Sequence, residues 1–186
     1  MIRLIDIVLS AIGIFVLWPL LVVLYAAGYM DTGAPLFRQV RVGRDRQPFT
    51  LIKFRTMGPD TQSVATHLTD ASAVTPLGRF LRRTKLDELP QLWNVLKGEM
   101  SLVGPRPCLL NQEELIAERA KRAVFDARPG VTGLAQVRGI DMSTPQLLAE
   151  TDAQMLASMN IKVYFKLLVA TVTGSGQGDR IKPHRK

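Results

Sequence analysis

The sequence has one cysteine, Cys108, and only two histidines, His67 and His184. A single thiol excludes an internal disulfide and any cysteine-built zinc site, and it suits a reducing, cytoplasmic setting. No Cys–His couple is suggested, so thiol catalysis has no support. Aromatic residues make up 6% of the chain, and no basic run is interleaved with them. That argues against a stacking platform for single-stranded nucleic acid, and no nucleic-acid partner is expected. There is no Walker loop, no G-x-G-x-x-G, no H-E-x-x-H and no G-x-S-x-G. The usual nucleotide-cradle, zincin and serine-hydrolase readings therefore fall away. Acids are also scarce, 16 against 24 Lys and Arg, for a net charge of +8. Such a balance favours anionic partners: nucleotides, anionic lipid or phosphorylated substrates. No internal repeat and no second domain is evident. A chain of 186 residues suffices for one domain with a real core.

What the chain does have is an apolar N-terminus. Leu4 to Met30 is interrupted only by Asp6, Ser10 and Pro19 among its strongly polar or helix-breaking positions. At about 1.5 Å per residue, such a run reaches across a hydrocarbon core of about 30 Å. A cleaved signal peptide fits poorly, because the run is long and no small-x-small site precedes a polar start. A plain spanning helix and a re-entrant helix both remain. Pro19 favours the second, since an interior proline removes a hydrogen bond and kinks the rod. Arg3 precedes the segment, and Arg38, Arg41, Arg44 and Arg46 follow it. The positive-inside tendency then puts the remainder in the cytoplasm. Asp6 is expected at an interface, where a carboxylate is tolerable. Trp18 and Tyr25 or Tyr29 are expected at headgroup level.

The rest reads as α+β, mostly helical with a small β-hairpin. Residues 1–32 form the membrane segment, 33–173 a cytoplasmic domain and 174–186 a basic flexible tail. Leu36–Val42 and Phe49–Arg55 are expected strands around a turn at Gly43–Arg46. Gly58–Pro76 reads as an exposed polar loop, and Leu77–Arg83 as a short basic helix. Leu86–Lys97 has apolar residues at helical spacing, with Pro90 in its first turn. Gly104-Pro105-Arg106-Pro107 cannot be helix or strand interior. Leu109–Phe125 and Pro145–Met159 read as helices, and Arg128–Gly139 as a glycine-rich stretch around a strand. Ile161–Val172 is apolar with Lys162 and Lys166 on it. It suits either a core helix or an interfacial amphipathic one with snorkelling lysines.

Asp87-Glu88 follows Arg82, Arg83 and Lys85. Adjacent residues on a helix do not share a face, so these carboxylates should point differently. One can then attack or bind metal while the other positions or moves a proton. Taken alone, though, acids at a helix start are ordinary. Lys53 and Arg55 alternate around Phe54, so both can face one side of a strand. Arg82 and Arg106 add cations suited to phosphate oxygens. Pro105 and Pro107 limit the backbone freedom of Arg106, which lowers the ordering cost of binding.

These pieces occur in a specific order. The apolar segment with its proline is followed by Lys53-Phe54-Arg55-Thr56-Met57 and Thr75-Pro76-Leu77-Gly78-Arg79-Phe80-Leu81-Arg82. Then comes the block from Leu86-Asp87-Glu88-Leu89-Pro90-Gln91-Leu92 through Gly98-Glu99-Met100-Ser101-Leu102-Val103 to Gly104-Pro105-Arg106-Pro107. Arg128-Pro129-Gly130-Val131-Thr132-Gly133-Leu134-Ala135-Gln136-Val137 completes the set. Over roughly residues 1–140 the chain resembles the bacterial sugar transferase family, the small monotopic phosphoglycosyl transferases.

The resemblance implies a nucleotide-sugar donor, a UDP-sugar in most members, and a polyprenyl phosphate acceptor such as undecaprenyl phosphate. It implies the products polyprenyl-diphosphate-sugar and a nucleoside monophosphate, here UMP. Mg²⁺ is the implied cofactor, with Asp87 as its ligand and as the nucleophile that forms a covalent phospho-sugar intermediate. Glu88 assists. Lys53, Arg82 and Arg106 are implied phosphate or substrate contacts, and Gln136 lies on the nucleotide side. Pro19 is the implied break of a re-entrant helix at the bacterial inner membrane, with the catalytic domain on the cytoplasmic face. Membrane lipids are partners, and a homodimer is left open. After Val137 the pattern is not followed. Arg138 is the candidate for a displaced cation. Asp152 aligns with the family, while Met155 and Tyr164 stand where the family has Tyr and Asp. A tethered scaffold without activity is the rival reading, and the intact Lys53, Asp87 and Glu88 weigh against it.

Overall fold

One helix, α1, occupies Ile2–Thr32 and ends on Gly33, whose φ of 69° and N–H bond to Tyr29 O form a left-handed cap. The computed structural model describes residues 1–59, 61 and 73–173. The middle of the polar loop and the basic tail lie outside them. Pro19 lies within α1, and the helix continues on both sides of it. By length and composition α1 is long and apolar enough to cross a membrane. Most of its large side chains are exposed, among them Phe15, Trp18, Tyr25 and Tyr29.

Its other face is pinned to the rest of the protein. Arg3 donates to Val95 O (2.7 Å) and Leu96 O (3.1 Å). Thr75 Oγ1 donates to Asp31 Oδ2 at 2.7 Å. Both ends of α1 therefore rest on one domain. Asp6 corrects the expectation of an interfacial carboxylate: it is 2% exposed. It accepts from Ser101 Oγ (3.0 Å), Leu102 N (2.9 Å) and Tyr164 Oη (2.7 Å). Three donors make burial of the carboxylate tolerable. Burial, and then the adjacent carboxylate, push the Tyr164 phenol well above its ordinary value.

β1 (Leu36–Val42) and β2 (Pro48–Phe54) form the expected antiparallel hairpin, with Phe37 opposite Lys53 and Arg41 opposite Phe49. Gln39 and Arg41 face inward while Arg38 and Val40 face out, the period-two alternation of a strand. α2 (Pro76–Thr84) has Thr75 as its N-cap, accepting from Gly78 N at 2.9 Å, and Pro76 in its first turn. A Cβ on Gly78 would lie 2.0 Å from Thr56 O, so glycine lets α2 press onto the strand end.

The single helix expected over Leu86–Lys97 is divided. Leu86–Glu88 is a 3₁₀ turn, and α3 runs only from Gln91 to Lys97, with Pro90 as its N-cap. The cause is local. Lys85 takes a left-handed φ of 59° that ends α2, and Pro90 has no N–H with which to continue the turn. A second sheet was not anticipated: β3 (Ser101–Val103) pairs in parallel with β4 (Gly130–Thr132). A Cβ on Gly130 would meet Gly104 N at 2.0 Å, so glycine permits the two strand ends to meet.

α4 is shorter than expected, Glu113–Lys121, because Ala123 turns left-handed at φ 54° ahead of a 3₁₀ turn at Val124–Asp126. α5 (Leu134–Val137), α6 (Pro145–Ala157) and α7 (Ile161–Val172) complete the chain. The main core joins Val95, Met100, Leu102, Met155, Tyr164 and Leu167 to Ile2, Ile5 and Leu9 of α1. Met155 and Tyr164, the departures from the family pattern, are thus packing residues. α7 is a core helix on one face. Tyr164 and Leu167 enter the core, while Ile161, Phe165, Val169 and Val172 are exposed at helical spacing.

Candidate active site

Lys85 closes α2, its N–H reaching Arg82 O and Leu81 O, and the chain then turns sharply into Leu86–Glu88. A left-handed conformation costs a non-glycine residue about 1 kcal/mol. The two acids separate as expected. Asp87 is 4% exposed, and Glu88 opens onto a small cleft lined by Arg41, Lys53, Gln91, Arg106, Gly130 and Val131 among others. Glu88 Oε1 lies 3.5 Å from Arg106 Nη1. A half-buried carboxylate and guanidinium at that distance are held together and ready to accept an anion between neighbouring cations.

The Pro-Arg-Pro loop is braced along its backbone. Pro105 O accepts from Gly130 N at 2.8 Å. Arg106 O accepts from Arg119 Nη1 at 2.8 Å. Pro107 O accepts from Arg41 Nη1 at 3.2 Å. With three successive carbonyls engaged, the Arg106 side chain is presented from a fixed backbone. Arg119 in turn pairs with Asp152, Nη2 to Oδ2 at 2.7 Å and Nε to Oδ2 at 3.0 Å, both side chains almost fully buried. Burial pushes the Asp152 carboxyl up, and Arg119 only partly opposes it. Asp152 is therefore a support beneath Arg106, outside the cleft itself.

Lys53 is buried on β2 and lines the cleft. Its Nζ lies 5.8 Å from the Phe37 ring centre, and the Arg55 guanidinium lies 5.6 Å from the same ring. Arg55 is otherwise spent on Ala34 O (2.8 Å) and Leu36 O (3.4 Å), which close the start of β1. Arg82 Nε donates to Thr56 Oγ1 at 2.8 Å, linking α2 to the end of β2. Gln136 Nε2 donates to Val131 O at 3.0 Å, bracing a strand residue that lines the cleft. Arg138 is exposed and donates to Gln154 Oε1 on α6 at 3.2 Å, so the fold does not bring it to Glu88. Cys108 is fully buried, and burial raises its thiol above the ordinary value despite Arg119 nearby.

Arg41 and Gln91 line the cleft, and neither was singled out for chemistry by its sequence. Arg41 Nη2 donates to Gln39 Oε1 at 2.5 Å. The alternation Gln39-Val40-Arg41 within a strand, one face polar and inward, was the available signal.

An acidic turn facing several cations suits a class of proteins that handle phosphorylated groups. The chain belongs to the bacterial sugar transferase family, whose model matches residues 1–177. It is 40% identical over 144 residues to the uncharacterized sugar transferase EpsL of Bacillus subtilis, covering 77% of this chain and 71% of that protein. It is 44% identical over 146 residues to the UDP-glucose:undecaprenyl-phosphate glucose-1-phosphate transferase of Caulobacter vibrioides, covering 74% of this chain and 54% of that protein. It is 39% identical over 154 residues to the undecaprenyl-phosphate galactose phosphotransferase of Salmonella typhimurium, covering 74% of this chain and 32% of that protein. The chain thus spans about half of the Caulobacter protein and a third of the Salmonella one.

Proposed function

We propose that this chain moves a sugar-1-phosphate from a UDP-sugar to undecaprenyl phosphate, releasing UMP, through a covalent intermediate on Asp87. The observation that carries this reading is the meeting of Glu88, Lys53, Arg41 and Arg106 in one cleft beside the Asp87 turn. Relatives named for UDP-glucose or galactose transfer to undecaprenyl phosphate agree with it.

In the first displacement an Asp87 oxygen attacks the sugar-bearing phosphorus. The new O–P bond forms as the bond to the UMP oxygen breaks, and UMP leaves with that electron pair. In the second, an oxygen of the acceptor phosphate attacks the same phosphorus. The diphosphate forms, and Asp87 regains its carboxylate. Two bulky anions need never meet. Arg106, Lys53 and Arg41 offset charge on the phosphates, and the braced Pro-Arg-Pro backbone holds that field in place before reaction. Glu88 holds Arg106 and is placed to steer the acceptor phosphate.

Mg²⁺ fits this donor set. Among the described residues no three His, Cys, Asp or Glu stand together as a cage. Mg²⁺ is commonly held by one or two carboxylates with substrate phosphates and water, which the Asp87-Glu88 turn can offer. When bound there it neutralises developing charge on the leaving phosphate. Purified protein given Mg²⁺, undecaprenyl phosphate and a broad panel of UDP-sugars is expected to release UMP with at least one donor. Silence across the whole panel contradicts the assignment.

Our reading also puts the domain on the cytoplasmic face of the inner membrane, with α1 entering and leaving on that side. Support comes from Arg3, Asp6 and Asp31, all tied to one domain. A spanning α1 would carry its first turns across the bilayer and break the bonds to Asp6. The exposed face of α7, with Lys162 and Lys166 beside it, suits an interfacial helix. An Ile2→Cys variant tests the topology cleanly, because Cys108 is fully buried. In right-side-out spheroplasts an impermeant maleimide should label it only after lysis. Labelling of intact spheroplasts means that α1 spans.

A further inference from the structure

Lys85 sits at φ 59° between α2 and the turn that carries Asp87. Glycine, or asparagine after it, takes that backbone with little strain, and a lysine does not. Here the lysine side chain has a destination. Its Nζ donates to Thr171 O at 3.3 Å, in the last turn of α7. Carbonyls in a last turn lack the N–H four residues on that the helix interior supplies, and the helix dipole puts negative charge there. A cation fits that end. The Thr171 hydroxyl meets the Thr132 hydroxyl at 2.5 Å, on the strand whose Gly130 and Val131 line the cleft. The C-terminal end of α7 is therefore tied twice, through Lys85 to the end of α2 ahead of the Asp87 turn and through Thr132 to the strand that lines the cleft.

The other side of α7 is the exposed apolar stripe Ile161, Phe165, Val169 and Val172. Lys162 and Lys166 are exposed beside it. An apolar stripe flanked by lysines, on a chain of net charge +8, matches an anionic phospholipid surface. We propose that Lys85 is a positioning residue that couples the Asp87 turn to α7, so that seating α7 on anionic lipid holds that turn in its working geometry. The inference rests on the reading of Asp87 as nucleophile at a lipid surface. It adds a residue, and a route from membrane contact to the catalytic turn.

The test compares wild type, Lys85→Gly and Lys85→Arg, each as the full chain, with and without phosphatidylglycerol liposomes. Glycine accepts the left-handed backbone, so its melting temperature should equal or exceed that of wild type. Its kcat should fall by about tenfold to a hundredfold with an unchanged donor KM, since a small misplacement of a reacting group has that effect. Arginine should recover most of the loss. In parallel, liposomes should slow amide hydrogen exchange over residues 85–89 in wild type and not in Lys85→Gly. If Lys85→Gly does not fold, Lys85→Asn takes its place, as asparagine also tolerates the left-handed region. A glycine variant with near wild-type kcat, or with the same slowing of exchange on liposomes, overturns the proposal. If wild type releases no UMP from any donor, the transferase reading fails, and the exchange comparison still decides the role of Lys85.

Discussion

Asp87→Asn should fold like wild type and lose turnover by about 10³-fold or more, the range expected when a nucleophile or an essential proton-transfer group is removed. Asparagine has almost the same shape, and Asp87 is almost fully buried, so packing changes little. A carboxamide is neutral and a poor nucleophile, so the first displacement stops. Glu88 should not take over, since its carboxylate is held by Arg106 at 3.5 Å. Intact-mass analysis distinguishes the mechanisms. Wild type incubated with donor and no acceptor should gain the mass of one sugar phosphate and release about one equivalent of UMP. Asp87→Asn should do neither. Full activity in the variant rules out the covalent route. Loss of turnover in a protein whose wild type never shows the adduct points instead to Asp87 as a metal ligand in a single displacement.

Arg119→Ala should destabilise the domain by about 3–5 kcal/mol, because it leaves a buried carboxylate without its cation. Arg119 and Asp152 are only 2% and 1% exposed. Both Arg119 contacts fall on Oδ2, and Asp152 Oδ1 has no hydrogen-bond partner among the described residues. The change also frees Arg106 O, so the loop that presents Arg106 loosens. The deficit should depend on pH. Burial already raises the Asp152 carboxyl, and removing Arg119 removes the influence that opposes this. A carboxyl raised in the folded state favours folding below its unfolded pKa, and that advantage is lost as pH rises through the folded value. The gap between Arg119→Ala and wild type should therefore be smallest in acid and grow toward neutrality. Thermal unfolding in detergent across that range measures it. The double change Arg119→Met with Asp152→Leu should recover much of the stability. It should not recover donor binding, since nothing then holds Arg106 O. Equal destabilisation at all pH values argues against the charged pair as the cause.

The hairpin was legible because its alternation and its Gly43 turn are local signals, and α7 because its apolar spacing runs unbroken over twelve residues. The acids stood out as candidates for chemistry only through their company: Lys53 before them and the Pro-Arg-Pro loop after them. Three things were not legible, for one shared reason. A strand was expected around β4, but β3 and its parallel pairing with β4 were not, since both are three-residue strands far apart in sequence. Arg119 and Asp152 look like ordinary surface charges on two amphipathic helices, and only the packing of α4 on α6 buries them together. Asp6 looks like an interfacial acid, and its donors lie 95 to 158 residues away.

By itself, then, the sequence determined the apolar N-terminal helix, the hairpin, the order of the motifs and the adjacency of Asp87 and Glu88, all carried by local pattern and residue chemistry. Only the tertiary structure decided that Asp87 and Glu88 stand in a 3₁₀ turn ahead of the helix, that Arg41 joins the cleft, and that Arg119 braces Arg106. It also decided that the first turns of α1 are bonded into the domain. Each of these depends on long-range contacts in which one buried polar group must find a particular partner, and no local period encodes which partner that is.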